Sequence, residues 1–185
     1  MLHRNELFEM IKTKSFKYSE DPPFTLASGR KSPFYFDCRQ TLLNPNGFKW
    51  AGVEFSNAII ALKQSGGKEF SHIGGLTMGA DPITYSVCHN MEFMAPLIIR
   101  KEPKDHGTGK QIEGIFKEGD LAIAVDDVIT TGGSTIKAIN AMRKEGIIVD
   151  TAIILLDREE GGREAIEELD IEVISLFKAS DFKED

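Results

Sequence analysis

The chain has only two cysteines, Cys38 and Cys88, and neither sits in a CxxC pair. That gives no basis for a disulfide framework or a thiolate zinc site, and it suits a reducing cytosol. Histidine is also sparse: His3, His72, His89 and His106 are scattered, without the i, i+4 spacing of a helical zinc pair. No apolar run approaches the ~18–20 residues of a membrane span. The opening MLHRNELFEMIKTK carries charges where an export signal would be apolar. These absences lead to the expectation of a cytoplasmic protein without membrane contact. Positive charge is in deficit too: 22 Lys+Arg stand against 29 Asp+Glu, a net charge of −7. Such a balance repels polyphosphate backbones and argues against general nucleic-acid binding. Neither GxxxxGK[ST] nor a complete GxGxxG occurs, so a Walker loop and the dinucleotide fingerprint are both missing.

What remains is the composition of a globular chain, 41% hydrophobic and 28% charged over 185 residues, a length suited to one domain. The apolar runs HIGGL (72–76), APLIIR (95–100), LAIAVDD (121–127) and TAIILLD (151–157), with IEVISLF (171–177) as a fifth, read as strands buried on both faces. Helical spacing lies between them. Phe48, Ala51, Phe55, Ile59 and Leu62 recur on one face, and Gly66-Gly67 supplies a stop. Ile136, Ile139 and Met142 do the same from Ser134 to Glu145, with Arg143 and Lys144 near the negative helix end. Strands alternating with helices predict an α/β domain whose parallel sheet is flanked by helices and collects ligands beyond the strands' carboxyl ends. Residues 1–45, with an N-terminal helix, the loop DPPFTLASGRKSP and the run FYFD, break this rhythm. They read as a hood over one end of a core formed mainly by residues 46–185.

Two loops carry chemistry. In LAIAVDDVITTGGST, Leu121 to Thr135, the small residues Thr130, Thr131, Gly132, Gly133 and Ser134 follow a buried strand and open a helix. Main-chain N–H groups there lack internal partners and the helix dipole favours an anion, so the loop reads as a phosphate cradle. Asp126 and Asp127 directly precede it and would repel a bare phosphate. They make sense if the phosphate is borne by a sugar whose hydroxyls need acceptors, as in a ribose phosphate. The second loop, RKEPKDHGTGKQIEG from Arg100 to Gly114, gathers Arg100, Lys101, Lys104, His106 and Lys110 within an otherwise acidic chain. It reads as a basic flap that orders over an anionic ligand and excludes water.

Together these residues resemble the type I phosphoribosyltransferases, whose signature of apolar strand, two acids and Thr/Gly/Ser loop is matched by LAIAVDDVITTGGST. The nearer likeness is to the orotate phosphoribosyltransferases. FTLASGRKSPFYFD (24–37), GGLTMGADPI (74–83), IIRKEPKDHG (98–107) and ILLDREEGG (154–162) are similar to that family's segments, in its order and over nearly the whole chain. The resemblance implies a Rossmann-like parallel sheet with a small N-terminal hood. It also implies transfer of the phosphoribosyl group of 5-phosphoribosyl 1-diphosphate to orotate, giving orotidine 5′-monophosphate and pyrophosphate in pyrimidine synthesis, with Mg2+ carried mainly by the diphosphate.

Carried over residue by residue, the resemblance gives Asp126 and Asp127 the ribose hydroxyls and Thr130, Thr131, Gly132, Gly133 and Ser134 the 5′-phosphate, with Val128 and Ile129 also among the substrate-binding residues. Thr130 and Arg158 would also face orotate, with Tyr35 and Phe36 beside the base. Arg158 has a physical case of its own, because its planar fork can grip a carboxylate at two points and a lysine cannot. Lys101 would act in its own site, while Arg100, Lys104 and His106 would complete that of a second copy, implying a symmetric homodimer with shared sites. Lys104, His106 and Asp127 are the implied catalytic residues. The chain departs from many members of the family at Ala27 and Met78, where they carry basic residues. A purine phosphoribosyltransferase, which would have no need of Arg158, and a nucleotide sensor without catalysis stay open at this point.

Overall fold

The computed structural model describes residues 2–25, 31–103 and 110–182. Helix α1 (Leu2–Met10) runs on through a wider helical turn to Ser15. Four short strands follow, β1 (Phe16–Tyr18), β2 (Phe24–Thr25), β3 (Lys31–Ser32) and β4 (Phe34–Phe36), paired antiparallel as β1 with β4 and β2 with β3. After the single turn α2 (Arg39–Leu42) comes α3 (Pro45–Gly66). The rest alternates: β5 (His72–Leu76), α4 (Asp81–Asn90), β6 (Ala95–Ile99), β7 (Ile112–Glu113), β8 (Leu121–Ile129), α5 (Gly133–Lys144), β9 (Ile148–Asp157), α6 (Gly162–Glu167) and β10 (Glu172–Lys178). A short 3-10 turn, Ala179–Phe182, ends the described chain.

The local reasons are legible. Asn44 caps α3 by accepting from the Asn46 and Gly47 N–H groups, and Pro45 fills the first position, where its missing N–H costs nothing. Gly67 ends the helix at φ 65°, a left-handed conformation that glycine adopts freely. Ala51, Phe55, Ile59 and Leu62 are buried as their spacing predicts, whereas Phe48 is only half-buried. Phe55 is fully buried, so Phe55→Ala would cost about 3–5 kcal/mol.

The six-stranded sheet runs β10-β9-β8-β5-β6-β7, parallel throughout except for β7, which pairs antiparallel with β6. All five expected strands form. Two are longer than the apolar runs suggested: β8 continues to Ile129 and β9 begins at Ile148. One face packs Leu7, Phe55, Ile83, Ile123 and Ile153 against α1, α3 and α4, and the other packs Leu97, Ala124, Ile139, Ile154 and Ile166 against α5 and α6. The chain builds outward from β5 to β6 and then returns to β5's other side with β8, so the order reverses between β5 and β8. A crevice opens where such a reversal occurs, beyond the carboxyl ends of the strands.

The hood is fastened by aromatic rings. Phe16 lies 4.9 Å from Phe36 between centroids, Phe8 stacks on Phe182 at 4.5 Å, and Phe36 meets Phe182 edge-on at 5.6 Å. Each such pair adds roughly 0.5–1.5 kcal/mol beyond its buried area. The Arg4 guanidinium sits over Phe177 and donates to the Leu176 carbonyl, tying α1 to β10. Among the described residues no helix is long and apolar enough to cross a membrane.

Candidate active site

The crevice is a cleft of about 800 Å³ at the reversal point. Its floor is the loop between β8 and α5. Gly132, at φ 77°, makes the sharp turn into α5, and its carbonyl accepts from the Ile136 N–H at 2.9 Å as the helix's first bond. A Cβ on Gly162 would stand 2.7 Å from the Thr130 carbonyl and 2.9 Å from the Gly132 nitrogen, so the loop rests directly on the start of α6. The glycines of ILLDREEGG and of TTGGS are therefore two halves of one close contact. With no side chain capping α5, its first N–H groups are left for an anion in the cleft.

Asp126 and Asp127 are neighbours on β8 and each carboxyl acts on the other, yet only Asp126 lines the cleft. Asp126 is buried, lines the cleft, and accepts from the Thr135 hydroxyl at 2.8 Å and from the Asp127 N–H at 3.0 Å. Asp127 is half-buried, accepts from the Val128 N–H at 3.0 Å, and is not among the residues lining the cleft. Its carboxylate instead abuts Gly79 in the loop after β5, which holds the cis Thr77–Met78 peptide. Asp126 thus lies in the cleft, and Asp127 lies against the loop after β5.

Burial, and next the charge of Asp127, pushes the Asp126 carboxyl up to about 8. Burial also raises Asp127, against the pull of hydrogen bonds and of the nearby Arg39 guanidinium. Arg39 donates to Asp37 at 2.7 Å, which holds the Asp37 carboxyl below its usual range. The Cys38 thiol lies beneath these acids and is raised well above its usual range, first by burial and then by Asp127 and Asp37.

The other expected residues divide cleanly. Tyr35, Phe36, Lys101, Val128, Ile129, Thr130, Thr131, Gly132, Gly133, Ser134 and Arg158 all line the cleft. Arg158 is 9% exposed, pairs with Glu160 at 2.7 Å, and donates at 3.3 Å to the Ser32 hydroxyl and at 3.4 Å to the Phe34 carbonyl. Those contacts hold its guanidinium against the hood strand that carries Tyr35. Arg100 lies outside the cleft and pairs with Glu113 at 3.2 Å. Lys104, His106 and Ala27 lie outside the described residues. Reasoning from sequence missed Thr25, Leu76, Thr135 and Lys137, all of which line the cleft. Lys137, one turn into α5, pairs with Glu102 at 2.7 Å and adds a second cation beside Lys101. Among the described residues no group of three or more His, Cys, Asp or Glu side chains is disposed to hold a metal ion.

A parallel sheet with its reversal at β5 and β8, a phosphate cradle at the end of β8 and an acceptor acid just before it define a type I phosphoribosyltransferase. The orotate phosphoribosyltransferases of Leptospira biflexa and Aquifex aeolicus are 44% and 40% identical to this chain, over 97% and 98% of its length and the same shares of theirs. The chain belongs to the orotate phosphoribosyltransferase family. The Mycobacterium tuberculosis orotate phosphoribosyltransferase, solved with Fe(III) dicitrate, superposes with a TM-score of 0.81 at 29% identity, over 98% of this chain and 99% of that one. The same enzyme, solved with 5-phospho-α-D-ribosyl 1-diphosphate, gives 0.76 at 28% identity over 97% and 98%. No family model matches the chain.

Proposed function

We propose a division of labour in which the cleft holds the ribose phosphate and the base, while diphosphate departs on the Asp127 side. The activity itself is that of the family: phosphoribosyl transfer from 5-phosphoribosyl 1-diphosphate to orotate. The sugar's 5′-phosphate sits on the N–H groups of Thr130 to Ser134, and Asp126 accepts from a ribose hydroxyl. Arg158 grips the orotate carboxylate with its planar fork, and Tyr35 and Phe36 flank the ring. A nitrogen of orotate attacks the anomeric carbon. The C–N bond forms as the carbon–oxygen bond to diphosphate breaks, and the bonding pair leaves with pyrophosphate. No protein nucleophile is needed, so the protein's contribution is alignment and stabilisation of charge.

Asp127 serves this step from the side of the loop after β5, facing the departing group and the sugar edge nearest it. Magnesium enters as part of the diphosphate substrate. Lys101 acts within its own cleft. Arg100, which lies outside the cleft, serves with Lys104 and His106 in the site of a second subunit, making the working unit a homodimer. Two unpaired thiols, Cys38 and Cys88, suit a cytoplasmic location.

The observation that carries this reading is the meeting of the phosphate loop, Asp126 and Arg158 in one cleft. Incubation with 5-phosphoribosyl 1-diphosphate, magnesium and one base at a time tests it. Pyrophosphate release is expected with orotate; release with adenine or hypoxanthine in its place overturns the assignment of Arg158.

A further inference from the structure

We infer that Thr135 is a positioning residue for phosphoribosyl transfer, holding the Asp126 carboxylate toward the cleft as an acceptor for a sugar hydroxyl. The inference rests on the role given to Asp126 above. Thr135 is 1% exposed and Asp126 5% exposed, and the bond between them crosses from β8 to α5. The two residues flank the phosphate loop, so their hydrogen bond closes it like a staple. The cradle for the 5′-phosphate and the acceptor for a ring hydroxyl are thereby fixed at one separation. The ligand imposes the same requirement, because its phosphate and hydroxyls are joined through the sugar by covalent bonds. A bond that sets this spacing before binding removes the need to order the loop afterwards.

The bond also decides what kind of group Asp126 is. The carboxylate has about four lone-pair positions. The Thr135 hydroxyl donates to Oδ2 at 2.8 Å and the Asp127 N–H to Oδ1 at 3.0 Å, which fixes its plane and leaves the other lone pairs for a ligand. Burial and the charge of Asp127 favour protonation of Asp126, and the Thr135 hydroxyl opposes it. Asp127 is the charged group that acts on Asp126, and the other charged or titratable side chains of the cleft are Lys137 on α5, Lys101 beyond β6, Arg158 beyond β9 and Tyr35 on β4. Protonation puts an O–H donor on one Asp126 oxygen and so removes acceptor positions that a sugar hydroxyl could use.

Thr135→Val removes the hydroxyl and keeps the shape. In the full-length enzyme, with magnesium and orotate saturating, kcat/KM for 5-phosphoribosyl 1-diphosphate is expected to fall about tenfold, the size of one hydrogen bond to a charged group. The acid limb of that parameter against pH is expected to move to higher pH, and Thr135→Ser to restore both. Thr135→Ala carries the same expectation should valine disturb packing. A valine variant with the wild-type parameter and acid limb overturns the inference. So does a loss that serine does not restore and that leaves the pH profile unmoved. Asp126→Asn, measured in parallel, separates the two layers of argument. Full turnover by that variant sinks the role of Asp126 itself. Its inactivity beside an unaffected Thr135→Val sinks only the role of Thr135.

Discussion

Gly79 lies so close to Asp127 that a Cβ at position 79 would stand 2.3 Å from the aspartate Oδ1 and 2.8 Å from its carboxyl carbon. No real contact of that kind survives, so Gly79→Ala must displace the acid or the loop after β5. The expected result is a folded protein, destabilised by about 1–3 kcal/mol, whose kcat/KM for the ribosyl diphosphate falls at least tenfold. Denaturant melts and steady-state kinetics check both parts; near wild-type turnover would show that the Asp127 position is not used.

Arg158 should act on one substrate and not the other. Arg158→Lys keeps the charge and loses the fork, so the orotate KM is expected to rise roughly 10- to 100-fold. Affinity for the ribosyl diphosphate, measured by titration without orotate, should change less than about threefold. Equal losses for both substrates would contradict the assignment.

Asp126 links pH to stability. Its carboxyl is pushed up to about 8 in the folded chain, against ~3.9 for an unfolded aspartate. Between those values the folded state binds a proton that the unfolded state lacks, so this group removes stability as pH rises through the window. Asp126→Asn abolishes the titration. The variant's melting temperature should equal the wild type's near pH 4 and exceed it by a margin that widens as pH rises toward 8, while turnover is lost. A difference that does not grow with pH would contradict the argument.

Shared sites predict complementation. An Asp127→Asn chain and a Lys104→Ala chain, each nearly inactive alone, should recover about a quarter of wild-type activity when mixed equally. Half of the randomly formed dimers are mixed, and each of these carries one intact site. Subunit exchange without recovery would place Lys104 in its own subunit's site.

Much of this architecture is visible in the chain itself. The apolar runs mark the five long strands because a strand covered on both faces must be apolar throughout. TTGGS reads as a cradle because few other stretches leave so many N–H groups free. Helix α4 is harder to see: its apolar stripe is short, Ile83 and Val87, and Pro82, Thr84 and Ser86 are buried beside it. The separate settings of the two acids are not visible in the sequence, because adjacency along a strand does not say which side chain enters a cleft. Asp126 and Asp127 stand side by side on a strand that continues to Ile129, and of the two only Asp126 lines the cleft. Lys137 has the spacing of an exposed helix face, and only the fold shows that this face borders the cleft.

The aromatic fastening of the hood reaches further than its distance from the chemistry suggests. Tyr35 takes its place in the wall of the cleft because Phe34 and Phe36 on either side are packed against Phe16, and Phe36 leans in turn on Phe182. Shaving Phe182 down to alanine would remove no group that lines the cleft, yet it would loosen the wall that carries Tyr35. One wall of the cleft is thus anchored in part by a phenylalanine nearly 150 residues further along the polypeptide.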